Sequence, residues 1–433
     1  MNTAKNYTDS LLQFLAGSPC NFFAVHSMRR MLIDNGFEEL HMSHDWQLTP
    51  GSGKYFVVKN DSAIFAFTLG SKPMAETGLK VIAAHSDSPC FRIKPNAVIK
   101  AENGIIKLNT EVYGGPILYT WFDRPLSVAG RVILRGADAL HPITKLLRID
   151  RPVLVIPHLA IHFNRAVNDG NPLSKQKDML PLLARVTECV EKDNLLLGLI
   201  ASELGVPMSD ILDFDLMLYD CEPPCLVGLN NEFISAGRID DLSMAHAAIT
   251  AVIEGTDSVS TRIAAVFDNE ETGSGTKQGA ASPVLANILR RINAATGGSE
   301  SDFFKAIARS FMVSADNAHA FHPNYAEKYD PTNHPVLGGG PVIKINANCK
   351  YMTDAHSAAI FRSLCEEAGV PFQYFVNHSD VAGGSTLGNI LTSQIDIEGV
   401  DVGNPILAMH SVRELGSAFD HNAMTAVFLH FFS

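Results

Sequence analysis

Leu79-Lys80-Val81-Ile82-Ala83-Ala84-His85-Ser86-Asp87-Ser88-Pro89 is the stretch from which the fold is read. Its first six residues are apolar apart from Lys80. A short apolar run bounded by turn-forming residues is the pattern of a strand buried on both faces. The run stops abruptly at His85 and Asp87. Open α/β sheets place their sites beyond the carboxyl ends of their strands, and this strand ends in a histidine and a carboxylate.

The pattern recurs down the chain. Thr261–Phe267 reads as a strand running into Asp268-Asn269-Glu270-Glu271-Thr272-Gly273-Ser274-Gly275. Phe311–Ala315 runs into Asp316-Asn317-Ala318-His319, and Pro405–Met409 into His410-Ser411-Val412-Arg413-Glu414. Four segments thus carry His and carboxylates towards one sheet edge. A fifth, Arg238-Ile239-Asp240-Asp241-Leu242, precedes a helical stretch over Leu242–Ile253. One of its aspartates suits a helix N-cap, and the other is then available to a metal.

Residues 8–36 read as helical with a break at Gly17-Ser18-Pro19, and strands are expected at Tyr55–Lys59 and Ala63–Leu69. Helices are expected at Pro283–Asn293, Ser301–Ser310 and Thr353–Ala368, with strands at Val342–Asn346 and Phe372–Val376. Such alternation implies an α/β domain with a mixed, mostly parallel sheet covered by helices. Between them the texture changes. Arg92–Lys100, Gly104–Leu108 and Leu126–Leu134 alternate in period two, with a helix expected around 179–204. The expected organisation is one α/β domain, residues 1–91 and 236–433, interrupted by a β-rich insertion, 92–235.

Composition narrows the partners. A chain of 433 residues implies roughly two to three domains, or one large domain with an insertion. A net charge of −12 argues against nucleic acid. No run of 18 apolar residues and no signal-peptide pattern is present, so no membrane partner is expected. Seven scattered cysteines read as free thiols of a reducing compartment, the cytoplasm. No Gly-x-Ser-x-Gly elbow appears, so nothing supports a serine triad.

Zinc takes imidazole nitrogen and carboxylate oxygen, and paired zinc ions in hydrolases share a bridging carboxylate. Two histidines with one bridging and two terminal carboxylates make such a site. Three carboxylates against two Zn²⁺ leave one positive charge, which a bridging hydroxide neutralises. Neighbouring side chains diverge, so in Glu270-Glu271 one carboxylate can bind metal while the other faces water as a base.

The chain resembles the aspartyl aminopeptidase family of dinuclear zinc metallopeptidases over nearly its whole length. The motifs are Ala84-His85-Ser86-Asp87-Ser88-Pro89, Asp268-Asn269-Glu270-Glu271-Thr272-Gly273-Ser274, Ser314-Ala315-Asp316-Asn317-Ala318-His319-Ala320 and Met409-His410-Ser411-Val412-Arg413-Glu414. The resemblance implies an aminopeptidase preferring acidic N-terminal residues, with two zinc ions per subunit; cobalt and manganese share these ligands. It assigns His85 and Asp316 to one metal, Glu271 and His410 to the other, and Asp240 as the bridge. Glu270 would be the general base, and Asp87 would accept from the His85 imidazole. Lys344 would face an acidic substrate side chain; read without the resemblance it is an exposed lysine. His162 would reach a neighbouring subunit's site and stabilise the oxyanion; the plainer reading is a buried, satisfied histidine. His319 and His322 receive no firm role. The insertion would be a dimerisation domain in a homo-oligomer, a tetrahedral dodecamer, acting on small peptides. Two rivals remain: a related dinuclear aminopeptidase of broader specificity, and a non-catalytic assembly or cargo-binding homologue.

Overall fold

The computed structural model describes residues 6–185, 194–257 and 259–433. The chain divides into two compact units. Met1–Asp87, Pro224–Met409 and Glu414–Ser433 form the first, and Ser88–Pro223 with His410–Arg413 the second. The division falls four residues before the expected limit at 91/92 and twelve before that at 235/236. The reason lies in strand pairing. Cys90–Lys100 pairs within the insertion's sheet, whereas Cys225–Val227 and Phe233–Ala236 pair with each other and with Glu414–Ser417 in the first unit.

The first unit is built on a nine-stranded sheet. Its spatial order is Glu38–Glu39, Lys54–Lys59, Ala63–Thr68, Thr261–Phe267, Leu79–His85, Phe311–Ala315, Glu398–Gly403, Val342–Lys344 and Gln373–Phe375. The four strands from Thr261–Phe267 to Glu398–Gly403 are mutually parallel, so their carboxyl ends emerge on one edge. Alternation splits the sheet's side chains between two cores. Ile82 and Ala84 face helices Asn21–Asp34, Ile239–Glu254, Ala355–Ala368 and Ala418–Phe431. Val81 and Ala83 face Val284–Ala295 and Glu300–Ala308. The helix Glu300–Ala308 starts at a capping box, in which Ser299 and Asp302 each satisfy the other's backbone N–H.

Two expectations are corrected. Glu398–Gly403, not Pro405–Met409, is the last parallel strand of the sheet. Only Pro405–Ile406 is a strand, in a two-stranded sheet with Ala318–His319. The short Pro405 run imitates a strand, while Gly399, Asp401 and Gly403 hide the real one. Those glycines have a steric reason: a Cβ on Gly403 would stand 1.9 Å from the Asp316 carbonyl oxygen. The helix expected around 179–204 is observed only as Leu195–Leu204, after a strand at Leu182–Arg185; 186–193 lie outside the described residues.

The second unit holds a six-stranded antiparallel sheet, in the order Ile143–Arg148, Leu126–Leu134, Ile211–Asp220, Cys90–Lys100, Ile105–Tyr113 and Leu182–Arg185. Phe91, Trp121, Leu216 and Ile200 belong to its core. The described cysteines, Cys20, Cys90, Cys221, Cys225, Cys349 and Cys365, are free thiols; Cys189 lies outside the described residues. No helix among the described residues is long and apolar enough to cross a membrane.

A buried histidine pair in the first unit predicts acid sensitivity. Ser10 donates to the Tyr7 carbonyl (3.1 Å), so its oxygen accepts from His246 Nε2 (3.0 Å). His246 Nδ1 is then bare and accepts from His421 Nε2 (3.1 Å). Burial pulls His246 down to about 4 and His421 well below its ordinary value. A depressed folded value means the unfolded chain binds more protons, so stability is whole above about pH 6.5 and is lost as pH falls towards 4. His246 alone should account for about 3 kcal/mol of that loss. Urea unfolding of wild type and His246→Gln between pH 7.5 and 4.5 tests this: their stability difference should shrink on acidification, and a constant difference refutes it.

Candidate metal centre

Register sets the site. His85 ends its strand level with Phe267 on one neighbour. Ser314 pairs with Ala83 on the other, so Asp316 leaves the sheet at the same level as His85. Glu270 and Glu271 follow in a short turn entered through Asn269 in the left-handed region (φ 61°), which asparagine tolerates. Asn269 Oδ1 accepts from Thr276 (2.8 Å) and Gln278 (2.9 Å), fixing the turn.

One donor atom each from His85, Asp240, Asp241 and Asp316 lie within 4.8 Å of one another, and all four residues are buried. His85, Glu270 and Glu271 form a second such group, and Asp240 and Glu271 also approach each other within that limit. Asp240 therefore stands between the His85–Asp316 pair and Glu271.

The tautomer of His85 follows from its partners. Its Nδ1 lies 3.0 Å from the main-chain carbonyl of Asp87, which can only accept. Nδ1 thus bears a hydrogen, and in the tautomer that binds a metal the Nε2 lone pair faces Asp240 and Asp316, both 3.8 Å away. The Asp87 carboxylate is farther from Nδ1 (3.4 Å) and accepts instead from the backbone N–H groups of Glu270 and Glu271 (both 3.1 Å). Asp87 therefore orients the imidazole and the Glu270-Glu271 turn together.

The helix after Arg238 corrects the N-cap reading. Neither aspartate caps it by a side-chain hydrogen bond, and both depart from helical φ/ψ. Asp241 accepts from the His85 backbone N–H through Oδ2 (3.0 Å), and its buried Oδ1 has no hydrogen-bond partner. Asp240 donates its N–H to Glu414 (2.9 Å). Asn317 ties the Asp316 segment to this helix by donating to the Ile239 carbonyl (2.9 Å) and to Ser243 (3.0 Å). The place of Asp241 is missing from the sequence reading; its signal was the doublet itself, read as a cap.

The electrostatics suit a cation. Burial opposes a charge on His85, but Asp241, Asp316 and Asp87 outweigh it and hold the imidazole well above its ordinary pKa. Asp316 stays well below the carboxylate range despite burial, because Lys344 and His85 stand beside it. Burial pushes Glu270 up to about 8; His85 opposes this, and Asp316, Glu271 and Asp87 reinforce it. An imidazole lone pair, convergent carboxylates and an orphaned buried Asp241 oxygen make a donor set that fits zinc.

Two further residues, Lys344 and His162, differ from their plainer readings. Lys344 is buried, not exposed, with Nζ 3.3 Å from Asp316. His162 is exposed, not buried. His410 belongs with the second unit, where its Nδ1 lies 3.1 Å from the Gly115 carbonyl. His319 is exposed with its ring against Phe375, and the ring of His322 packs near Tyr325.

The profile of the family described as Aminopeptidase I zinc metalloprotease (M18) matches residues 14–432. The chain belongs to the M18 aminopeptidase family. It is thus a metalloaminopeptidase, of a family that uses zinc. It is 51% identical to a probable M18 family aminopeptidase 2 of Clostridium acetobutylicum over the full length of both chains. A Pseudomonas aeruginosa protein of the same description is 43% identical, over 95% of this chain and 94% of that one. Among solved M18-like structures, a chain of the Ape4 and Nbr1 complex superposes with a TM-score of 0.94 at 37% identity, covering 99% of this chain and 86% of that one. The S. cerevisiae mApe1 dodecamer superposes at 0.85 and 26% identity, covering 98% and 96%.

Proposed function

We propose that this M18 aminopeptidase removes acidic residues, Asp or Glu, from the N-termini of small peptides, using Glu270 as general base. Two zinc ions per subunit would be held by His85, Asp240, Glu271, Asp316 and His410, with Asp240 shared. When bound, zinc supplies Lewis acidity to the scissile carbonyl and lowers the pKa of a water. Glu270 takes the proton of that attacking water and returns it to the leaving amine. Burial raises the Glu270 carboxyl above the usual carboxylate range, and neighbouring carboxylates reinforce this, which favours its taking up a proton. Asp87 holds the base in place through the N–H groups of Glu270 and Glu271.

The acidic preference rests on one observation: the buried ammonium of Lys344 at the metal centre. An ammonium carries three donors, so one can serve Asp316 and another a substrate carboxylate. In a partly dry pocket such a charge-assisted bond favours acidic over neutral side chains. The test is a panel of N-terminal amino-acid amides with and without chelator. Asp and Glu amides should be cleaved fastest, chelator should abolish cleavage, and Lys344→Ala should lower the ratio of acidic to neutral kcat/KM by about tenfold or more. Equal rates on acidic and neutral amides in the wild type would favour the broader-specificity rival.

The exposed His162 lies in a stretch of chain with exposed Leu159, Ile161 and Phe163, and exposed apolar side chains of this kind favour an interaction surface. This supports a homo-oligomer, on the pattern of the dodecameric relative, in which the insertion dimerises and His162 serves a neighbouring subunit's oxyanion. Native mass by light scattering should be many times 46.9 kDa, and an active monomer would exclude the cross-subunit role. The free cysteines agree with a cytoplasmic enzyme.

A further inference from the structure

Lys344 raises a question that substrate binding does not answer. It is 3% exposed and ends a strand, Val342–Lys344, whose three residues are all buried. A buried ammonium needs a nearby counter-charge. Asp401, on the adjoining strand, already uses both oxygens: Oδ1 accepts from Thr386 (2.6 Å) and Oδ2 from the Met352 N–H (2.6 Å). The Tyr351 ring, 5.8 Å from Nζ, offers only its face. The direct ion pair is with Asp316, and its shortest approach is to one oxygen. Oδ2 lies 3.3 Å from Nζ, while Oδ1 faces His85 Nε2 at 3.8 Å.

We propose that Lys344 is a positioning residue that keeps Asp316 a one-oxygen ligand: its ammonium occupies Oδ2, so that only Oδ1 is offered to a cation held with His85 and Asp240. This rests on Asp316 being a metal ligand. The physical content is competition for one lone-pair face. Without the ammonium, Oδ2 is a buried anionic oxygen without a counter-charge, and turning it onto the cation is the nearest remedy. The coordination number would then rise by one, and a position needed for water would close. This role is separate from any contact with a substrate side chain, since it exists before substrate arrives.

Cobalt(II), added to metal-free protein, is the probe, because its visible bands weaken and move to shorter wavelength as coordination number rises. Lys344→Met removes the charge at similar length. Its cobalt form should lose visible intensity with a shift to shorter wavelength, and Lys344→Arg should restore the wild-type spectrum. A wild-type spectrum in Lys344→Met overturns the inference. Folding of each variant is checked by circular dichroism, and Lys344→Leu is read in the same way if the Met variant does not fold. Asp316→Asn is the control for the underlying assignment. If it leaves cobalt affinity and spectrum unchanged, the ligand reading has failed. If it weakens cobalt binding while Lys344→Met keeps the native spectrum, only the positioning role has failed. Peptide selectivity is not read in any arm, so the acidic preference stands or falls separately.

Discussion

Glu270→Gln should lower turnover by about 10²–10⁴-fold while leaving the metal content of the purified protein unchanged. The carboxylate sits half-buried beside His85 and Glu271, in a turn whose backbone N–H groups are held by Asp87. The amide is isosteric and keeps the turn, so the substitution removes proton acceptance and little else. Burial and neighbouring carboxylates raise Glu270 to about 8, and an amide cannot titrate at all. The measurement is kcat on an acidic amide together with metal analysis by mass spectrometry. Wild-type turnover in the variant would reject Glu270 as the base. Lost turnover accompanied by lost metal would mean that Glu270 is a ligand instead.

The second large effect separates two adjacent aspartates. Asp240→Ala should strip metal and reduce activity to the level of chelated enzyme, because Asp240 approaches both the His85–Asp316 pair and Glu271. Asp241→Ala should act first on the fold. Asp241 Oδ2 accepts from the buried His85 N–H, and leaving that donor unpaired costs about 1–3 kcal/mol. Asp241→Asn keeps an acceptor and should recover most of that stability. Metal stoichiometry and chemical unfolding, measured on all three variants, decide the matter. Metal loss in Asp241→Ala with retention in Asp240→Ala would exchange the two roles.

Much of this was legible in advance because buried parallel strands write themselves as apolar runs. Leu79–His85, Thr261–Phe267 and Phe311–Ala315 are found where their apolar patterns end, and the polar residues after them are the ones that converge. The strand Glu398–Gly403 was not legible, since glycines chosen for close backbone approach and the buried Asp401 break the apolar pattern. The helix around 179–204 misled for the opposite reason, its apolar residues being shared between a strand and a shorter helix.

The sequence by itself determined the strand-end chemistry: which histidine and which carboxylates lie after buried strands, because burial and turn formation are local demands on residue type. Tertiary structure alone decided how they divide the work. Which aspartate of the 240–241 pair is tied to the His85 strand depends on a backbone N–H 156 positions away. Whether Lys344 is a surface lysine or the buried counter-ion of Asp316 depends on a neighbouring strand. The tautomer of His85 depends on a carbonyl that only the folded turn aims at Nδ1. Hydrogen bonds and ion pairs are set by distances of a few ångströms, and sequence spacing does not encode those distances.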